Sequence, residues 1–259
     1  MKDIFLIKFG GSLISDKNKI NIPKLDNIRL LTDQIRKASA ENPDRTFIVA
    51  TGAGGFGHPE AKKYRHNLLE GRSLIKAAVK KLNRIVVESF TGIGLEAISM
   101  EPDRVSKYSR GILKELSYEY VVKVLNKKII PVFHADLVDD ESFGISILSM
   151  DKFIIDLAIY LKKKKFPVTK VIFAGSTPGV TDSSGNTILR LTNNILKENN
   201  KIFFKTAGID VSGGMAYKVK ESLRLSKVKI PVIIINGAEE DNLYKSIIGA
   251  NFTGTIVEE

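Results

Sequence analysis

Short β-branched and apolar runs alternate with amphipathic helical patterns from one end of the chain to the other. This alternation is typical of an α/β fold in which a mostly parallel sheet is covered by helices on both faces. Several of the runs are apolar throughout, as expected for strands that are buried on both faces. The predicted strands are Ile4–Phe9, Thr46–Thr51, Ala97–Met100, Ile129–His134, Lys170–Ala174, Val232–Asn236 and Thr255–Glu258.

Apolar residues spaced three or four apart predict the helices between these strands. Two such stripes run from Leu25 to Ala38 and from Ile75 to Val86, and each is expected to face the sheet. The basic run from Lys162 to Lys165 suits the solvated C-terminal end of a helix. Further helices are predicted at Gly111–Lys127, Asp151–Lys163 and Gly214–Lys227, the last with Ser212 as its N-cap.

Length and composition fit an ordinary globular protein. The chain has 259 residues, of which 43% are hydrophobic and 27% charged, enough for one large α/β domain or two closely packed lobes. A basic connector at residues 162–167 predicts a lobe boundary near residue 166, which gives lobes of about 1–166 and 167–259.

The net charge of +11 is compatible with nucleic acid, an anionic membrane surface or a small anionic substrate. No segment approaches the ~20 apolar residues of a membrane span, so no membrane association is expected. Basic and aromatic residues are not interleaved as in RNA-binding proteins, so nucleic acid is not an expected partner.

The absence of cysteine excludes disulfides and thiolate metal sites, and the cytoplasm is the default compartment. The three histidines have no close carboxylate pair, so no zinc site and no dedicated metal ligands are predicted.

The first predicted strand runs into Lys8-Phe9-Gly10-Gly11-Ser12. Consecutive glycines permit a tight turn whose bare amides can approach phosphate oxygens, so this segment is a candidate phosphate cradle. A plain strand-to-helix turn with an incidental lysine is the alternative. The Walker pattern GxxxxGK[ST] is absent, which disfavours a P-loop NTPase.

The second predicted strand leads into a glycine-rich segment, Gly52 to His58, which formally matches G-x-G-x-x-G. A dinucleotide site would need an acidic residue at the end of the next strand, and Glu70 does not end a strand-like run. His58 lies among bare amides and is suited to hold a phosphate oxygen. His66 is predicted to face solvent and His134 to be a satisfied structural side chain.

A third segment, Asp210 to Lys218, places the glycine pair Gly213-Gly214 at the start of a helix. Lys218 follows one turn inside that helix, which brings a cation close to a helix N-terminus. A surface lysine on an amphipathic helix is the alternative, but ligand sites in open α/β sheets gather where such loops follow strands.

These segments together resemble the amino acid kinase superfamily, and within it the isopentenyl phosphate kinases, with the fosfomycin kinases as near relatives. The resemblance covers nearly the whole chain. It rests on motifs in the family's order: Lys8 to Ser12 with Ser15-Asp16-Lys17, Gly52 to His58 with Pro59 and Ala61, His134-Ala135-Asp136, Asp210 to Lys218, Asn236-Gly237 and Gly254-Thr255.

The resemblance implies a single three-layer αβα domain with a mostly parallel open sheet, an N-terminal acceptor lobe and a C-terminal ATP lobe. It also implies a homodimer, ATP with Mg²⁺ as cofactors, a phosphorylated small-molecule acceptor and direct phosphoryl transfer. By the same resemblance, Lys8 would steady the γ-phosphate and Lys17 the β- and γ-phosphates, while Lys218 would hold the nucleotide from the opposite lobe.

His58 would grip the acceptor phosphate, and Asp151 would organise the lysines. The implied nucleotide site comprises Lys8, Gly10, Gly11, Ser12, Gly54, Ser176, Gly179, Gly213, Gly214 and Lys218, and the implied acceptor site comprises Ala53, Gly54, Gly55, His58 and Met150.

The chain also departs from the family pattern. Met150 stands where a glycine is usual, and the Ser176–Gly179 turn lacks two usual acids. Thr51 replaces a histidine and Ala53 a glycine of the second loop. Three hypotheses therefore stay open: an isopentenyl phosphate kinase, a kinase for another phosphomonoester or a phosphonate such as fosfomycin, and a catalytically silent binding protein.

Overall fold

The computed structural model describes residues 3–192, 194–195 and 214–258. Strands and helices alternate along them, as the sequence pattern predicts. Their order is β1 (Asp3–Phe9), α1 (Gly11–Ile14), α2 (Leu25–Glu41), β2 (Arg45–Thr51), α3 (Gly54–Lys63), α4 (Leu68–Thr91), β3 (Ala97–Met100), α5 (Pro102–Val105), β4 (Ser106–Ser109), β5 (Ile112–Leu116), α6 (Tyr118–Asn126), β6 (Ile130–His134), β7 (Asp136–Asp140), β8 (Gly144–Leu148), α7 (Met150–Lys163), β9 (Val168–Gly175), β10 (Arg190–Leu191), α8 (Gly214–Ser226), β11 (Val232–Asn236), α9 (Asn242–Ile248) and β12 (Gly254–Val257).

The main sheet has eight strands in the order β10-β12-β11-β9-β1-β2-β6-β3. Its strand pairs are parallel except for β11 with β12. Phe9 pairs with Thr51 on one side and with Ala174 on the other, and Thr51 pairs in turn with His134. The carboxyl ends of β9, β1, β2 and β6 therefore meet at one edge, where open α/β sheets bind their ligands.

Helices cover both faces of this sheet. Successive side chains of a strand point to opposite faces, and in β1 Ile4 and Leu6 belong to one apolar cluster while Phe5 and Ile7 belong to another. Helix α7 contributes Phe153 to the first cluster, and α2 and α4 cover the other face. This confirms the predicted three-layer αβα architecture. No helix in the described part of the chain is long and apolar enough to cross a membrane.

The helix predicted at Gly111–Lys127 is wrong over its first residues. Ile112–Leu116 forms β5, which pairs antiparallel with β4, and the helix begins only at Tyr118. Arg110 and Gly111 both have positive φ, 53° and 67°, which builds the tight hairpin turn between these strands. Strands β4, β5, β7 and β8 form a second sheet in the order β5-β4-β7-β8. They are short and partly polar, so the apolar pattern did not reveal them.

The remaining predicted strands and helices are present, with ends shifted by one or two residues in most cases. Helix α7 ends at Lys163 and the lysines that follow are exposed, which confirms the solvated helix end. The sheet is continuous across the predicted lobe boundary, because β9 lies directly beside β1. Ser212, the predicted N-cap of α8, lies outside the described residues.

Candidate functional site

The loops that follow β1, β2 and β9 meet at the carboxyl edge of the sheet. The Gly10 amide donates to Ala174 O at 2.7 Å, and the Gly52 amide donates to Phe9 O at 3.0 Å. These bonds extend the sheet pairing into the loops and hold the first glycine pair between the two neighbouring strands.

The two glycine-rich segments touch at Gly11 and Gly54. A Cβ on Gly11 would lie 2.4 Å from the Gly54 nitrogen, and a Cβ on Gly54 would lie 2.0 Å from Ser15 Oγ. Gly54 also has φ of +50°, a backbone conformation that favours glycine. Both positions therefore require glycine because of the contact itself, which the sequence alone could not show.

Ser15 fastens this contact. Its hydroxyl donates to Gly11 O at 2.7 Å and accepts from the Gly55 amide at 2.8 Å. The Gly55 amide, in the implied acceptor site, is thus already bonded within the protein. Gly54 is also the first residue of α3, so the glycine-rich segment opens a helix rather than remaining a loop.

Lys8 and Asp151 form an ion pair beneath these loops. Lys8 Nζ lies 2.7 Å from Asp151 Oδ1, and the two side chains are only 12% and 7% exposed. Burial alone would raise the pKa of Asp151, but the charges of Lys8 and Lys218 and the contact with Lys8 hold that pKa below its ordinary value. Asp151 is therefore a permanent anion in the first turn of α7, where the helix dipole also favours negative charge.

Lys218, on α8, is close enough to Asp151 for its charge to lower the pKa of that carboxylate. Its Nζ lies 5.5 Å from the centroid of the Phe173 ring, and Phe173 pairs with Lys8 across β1 and β9. The structure thus brings together Lys8, Asp151 and Lys218 from three separate elements. One anion between two cations leaves a net positive charge at the carboxyl edge, which suits a polyphosphate.

The loop after β9 closes the other side of the site. Ser176 Oγ lies 3.3 Å from Ser12 Oγ, so the predicted nucleotide residues of the two loops are adjacent. Gly179 has φ of +135°, and a Cβ there would lie 2.6 Å from Thr255 Oγ1. Thr255 Oγ1 also accepts from the Val180 amide at 2.8 Å, which fixes the loop on β12.

His58 is exposed on α3, and Ala53 precedes that helix at its N-terminal end. Lys17 is exposed. The segment that contains it packs on Gly55, because a Cβ on Gly55 would lie 2.1 Å from the backbone oxygen of the neighbouring Asp16.

Met150 is only 3% exposed and packs in an apolar cluster, so its side chain belongs to the core. Gly214 opens α8, and Gly213 lies outside the described residues.

The other two histidines differ in their surroundings. His66 is exposed and accepts a hydrogen bond from Arg65 Nε at 2.9 Å, which confirms its predicted solvent exposure. His134 is fully buried; its Nδ1 lies 2.9 Å from Ala135 O, but its Nε2 has no hydrogen-bond partner among the described residues. The predicted structural position of His134 is confirmed, but the prediction that its polar atoms are satisfied is wrong for Nε2. Burial lowers the pKa of His134, which keeps the ring neutral.

Sequence reasoning missed a cluster of ion pairs beside the second glycine segment, formed by Lys76, Asp103 and Asp136. Lys76 Nζ, on α4, lies 3.0 Å from Asp136 Oδ1 and 3.0 Å from Asp103 Oδ2, and the Asp136 side chain is fully buried. Arg72, one turn earlier, pairs with Asp103 and Asp139. Arg72 and Lys76 are four residues apart, so they lie on the same face of α4. This spacing was overlooked because the prediction for this helix used only its apolar residues.

The described residues contain no group of three or more His, Asp or Glu that is suited to hold a metal ion. The carboxylate of Asp151 faces two lysines, which makes it a partner for cations of the protein rather than a ligand for a bare metal ion. A divalent ion at this edge would therefore need ligands from a bound substrate, as is usual for Mg²⁺ with nucleotide phosphates.

Comparisons with known proteins agree on the kind of protein. The model of the amino acid kinase family matches residues 3–236. An isopentenyl phosphate kinase of Methanocaldococcus jannaschii is 30% identical over 94% of this chain and 95% of its own length. One from Methanothermobacter thermautotrophicus is 25% identical over 97% of this chain and 98% of its own length.

Solved structures establish the same fold. A crystal structure of an isopentenyl phosphate kinase superposes with a TM-score of 0.76 at 24% identity, covering 98% of this chain and 99% of that one. The N-acetylglutamate synthase of Neisseria gonorrhoeae superposes with a TM-score of 0.71 at 13% identity, but this chain covers only 59% of it.

Proposed function

The chain belongs to the amino acid kinase family, and we propose that it transfers the γ-phosphoryl group of ATP to the phosphate of isopentenyl phosphate, forming isopentenyl diphosphate and ADP. The observation that carries this proposal is the convergence of Lys8, Asp151 and Lys218 under two touching glycine segments. The isopentenyl phosphate kinases among its relatives, which align over nearly the whole chain, support the choice of acceptor.

In this proposal Lys8 and Lys218 stabilise the charge on the phosphoryl group that is transferred. Phosphoryl transfer needs little covalent help, but the charge on the equatorial oxygens of the moving group must be stabilised. Two ammonium groups fixed by one buried carboxylate provide that stabilisation without reorganisation during the reaction. Asp151 is a positioning residue here, because it holds the lysines and does not itself touch the phosphate.

The nucleotide side comprises the first glycine pair, the loop after β9 and the start of α8. The proximity of Ser12 to Ser176 supports a single site formed by both loops. We assign nucleotide contacts to Gly10, Gly11, Ser12, Gly54, Ser176, Gly179, Gly213 and Gly214, with Lys17 reaching the β- and γ-phosphates. Mg²⁺, bound through the nucleotide phosphates, would supply additional charge neutralisation.

The acceptor side lies at the start of α3. The exposed imidazole of His58 donates a hydrogen bond to the acceptor phosphate, with Ala53 and Gly54 beside it. The bonded amide of Gly55 and the buried side chain of Met150 give these two residues a supporting role rather than a direct contact. The N-terminal lobe would hold the acceptor and the C-terminal lobe the nucleotide, in a cytoplasmic homodimer.

An acceptor panel tests the proposal. Purified protein with saturating Mg-ATP is given isopentenyl phosphate, dimethylallyl phosphate, fosfomycin and unrelated phosphomonoesters, and ADP release is coupled to NADH oxidation. We expect isopentenyl phosphate to have a kcat/KM orders of magnitude above that of the others. Turnover of another acceptor without turnover of isopentenyl or dimethylallyl phosphate would contradict the proposed substrate.

A second candidate function is a kinase for another phosphomonoester or a phosphonate. It is favoured by the cluster of ion pairs formed by Lys76, Asp103 and Asp136. These charges lie on the acceptor side of the carboxyl edge, because β6 is the neighbour of β2. An acceptor with a second polar group would find charged partners in Lys76 and Asp103, whose side chains are 14% and 16% exposed. The same panel separates the two candidates, since fosfomycin or a hydroxylated phosphomonoester would then be preferred.

A further inference from the structure

A second buried carboxylate, Asp156, lies on α7 between two cations. Its side chain is only 4% exposed, Lys152 Nζ lies 2.5 Å from Oδ2, and Arg224 Nη2 lies 2.6 Å from Oδ1. Both carboxylate oxygens therefore have a charged partner. A buried carboxylate is costly to leave unpaired, so this arrangement strongly resists separation of its members.

Arg224 belongs to α8, the helix that also carries Lys218. Its second terminal nitrogen, Nη1, lies 2.5 Å from Glu221 Oε2 on the same helix. The planar guanidinium of Arg224 therefore uses one terminal nitrogen for Glu221 on its own helix and the other for Asp156 on α7.

The charged residues of α7 and α8 occur in the same order along the two helices. Lys218 acts on Asp151, and Arg224, six residues further along α8, pairs with Asp156, five residues further along α7. At about 1.5 Å of rise per residue these intervals span about 9 Å on α8 and about 7.5 Å on α7, so the two charged pairs lie at similar heights along both helices. Val219 and Leu225 of α8 pack in the same apolar cluster as Phe153 and Leu157 of α7.

We propose that Asp156 and Arg224 are a positioning pair that sets the height and rotation of α8 on α7, and thereby places Lys218 at Asp151. Apolar packing alone is non-directional and permits small shifts of a helix, whereas the ion pair specifies one register. The pair acts on the nucleotide site through Lys218, and in this respect the inference rests on the proposed function.

The first test replaces Arg224 by Gln and by Lys. Calorimetry of a non-hydrolysable ATP analogue, without any acceptor, should show about tenfold weaker binding for Arg224→Gln and an intermediate loss for Arg224→Lys. The KM for the acceptor should stay unchanged while kcat falls. Lys220→Gln, which removes a cation from the exposed face of the same helix, is the matched control and should bind within about twofold of wild type.

A double-mutant cycle tests whether Arg224 acts through Lys218. In a Lys218→Ala background, Arg224→Gln should reduce analogue binding by less than about twofold further. Full additivity of the two losses, or a lower Tm with unchanged binding per folded molecule, would overturn the positioning role. If Arg224→Gln does not fold, the same cycle is run with Arg224→Lys and Asp156→Asn.

This experiment separates the two proposals. If the losses of analogue binding are non-additive in a protein that does not phosphorylate isopentenyl phosphate, the positioning role of the pair stands and only the proposed acceptor is wrong. Additive binding in a protein that does phosphorylate isopentenyl phosphate would overturn the positioning pair alone. A wild type that binds no ATP analogue would overturn both.

Discussion

Lys8 Nζ lies 2.7 Å from Asp151 Oδ1, which joins the carboxyl end of β1 to the first turn of α7. The charge of Lys218, on α8, also acts on this carboxylate, so a single acid interacts with two cations near the edge of the sheet where the glycine segments meet. The depressed pKa of Asp151 keeps the carboxylate charged throughout the neutral range. The geometry of the proposed phosphate site therefore depends on a residue that need not touch the phosphate.

Asp151→Asn should lower kcat by about 10²-fold, because Lys8 and Lys218 lose the charge that positions them. The effect on the acceptor KM should be much smaller, since His58 is on another element. Steady-state kinetics with both substrates varied provide the measurement. Asp33→Asn, which breaks an exposed ion pair with Arg36, is the control and should leave kcat unchanged. A kcat near the wild-type value in Asp151→Asn would contradict the assigned role.

Gly54→Ala should destabilise the protein by about 2 kcal/mol or more and reduce activity. The new Cβ would be forced into a positive φ and would clash with Ser15 Oγ, which holds the two glycine segments together. Urea unfolding and a kinase assay on the folded fraction measure the two effects. Gly92→Ala, at a glycine with φ of −64° beyond the end of α4, should change stability by less than about 0.5 kcal/mol.

His58→Ala should nearly abolish phosphoryl transfer without unfolding the protein, because the exposed imidazole contributes little to the core. His58→Asn and His58→Gln can still donate a hydrogen bond and should retain a measurable fraction of kcat/KM. The exposed His66 offers a matched control, and His66→Ala should be as active as wild type. Normal turnover by His58→Ala would remove His58 from the acceptor site.

Asp140 should make an acid-sensitive contribution to stability. Its carboxylate accepts from the amides of Arg110, Gly111, Ser142 and Phe143, which join the hairpin turns of the small sheet. Burial opposes ionisation, but these four bonds hold the pKa of Asp140 below its ordinary value. The stabilisation is therefore complete above about pH 4 and is lost as the pH falls through the lowered folded-state pKa.

Asp140→Asn should lower the urea midpoint at neutral pH, because an amide nitrogen cannot accept from the backbone amides of the turn. The difference from wild type in urea unfolding should shrink when the pH is lowered below about 4. Asp26→Asn, at a side chain that is 98% exposed, should show neither effect. A pH-independent difference for Asp140→Asn would show that the carboxylate charge is not what stabilises the turns.

The amino-acid sequence alone predicts the α/β class, most strands of the main sheet and the three glycine-containing segments. These features follow from local physics: the apolar period of 2 or 3.6 residues reports strands and helices, and glycine permits turns wherever it stands. The family resemblance then named Lys8, Asp151 and Lys218 as partners, but their distances and charges required the fold, because they lie on β1, α7 and α8.

Features that depend on contacts between distant segments of the chain became visible only in the folded protein. In the second sheet, the Asp140 carboxylate accepts from the amides of Arg110 and Gly111 in the turn between β4 and β5, a contact that the local sequence pattern does not reveal. The Gly55 amide is bonded to Ser15, and Met150 is buried in the core, and neither environment could be read from the local sequence. The pairing of Asp156 with Arg224 has no local sequence pattern, because a buried charge is tolerated only where another element brings its counter-ion.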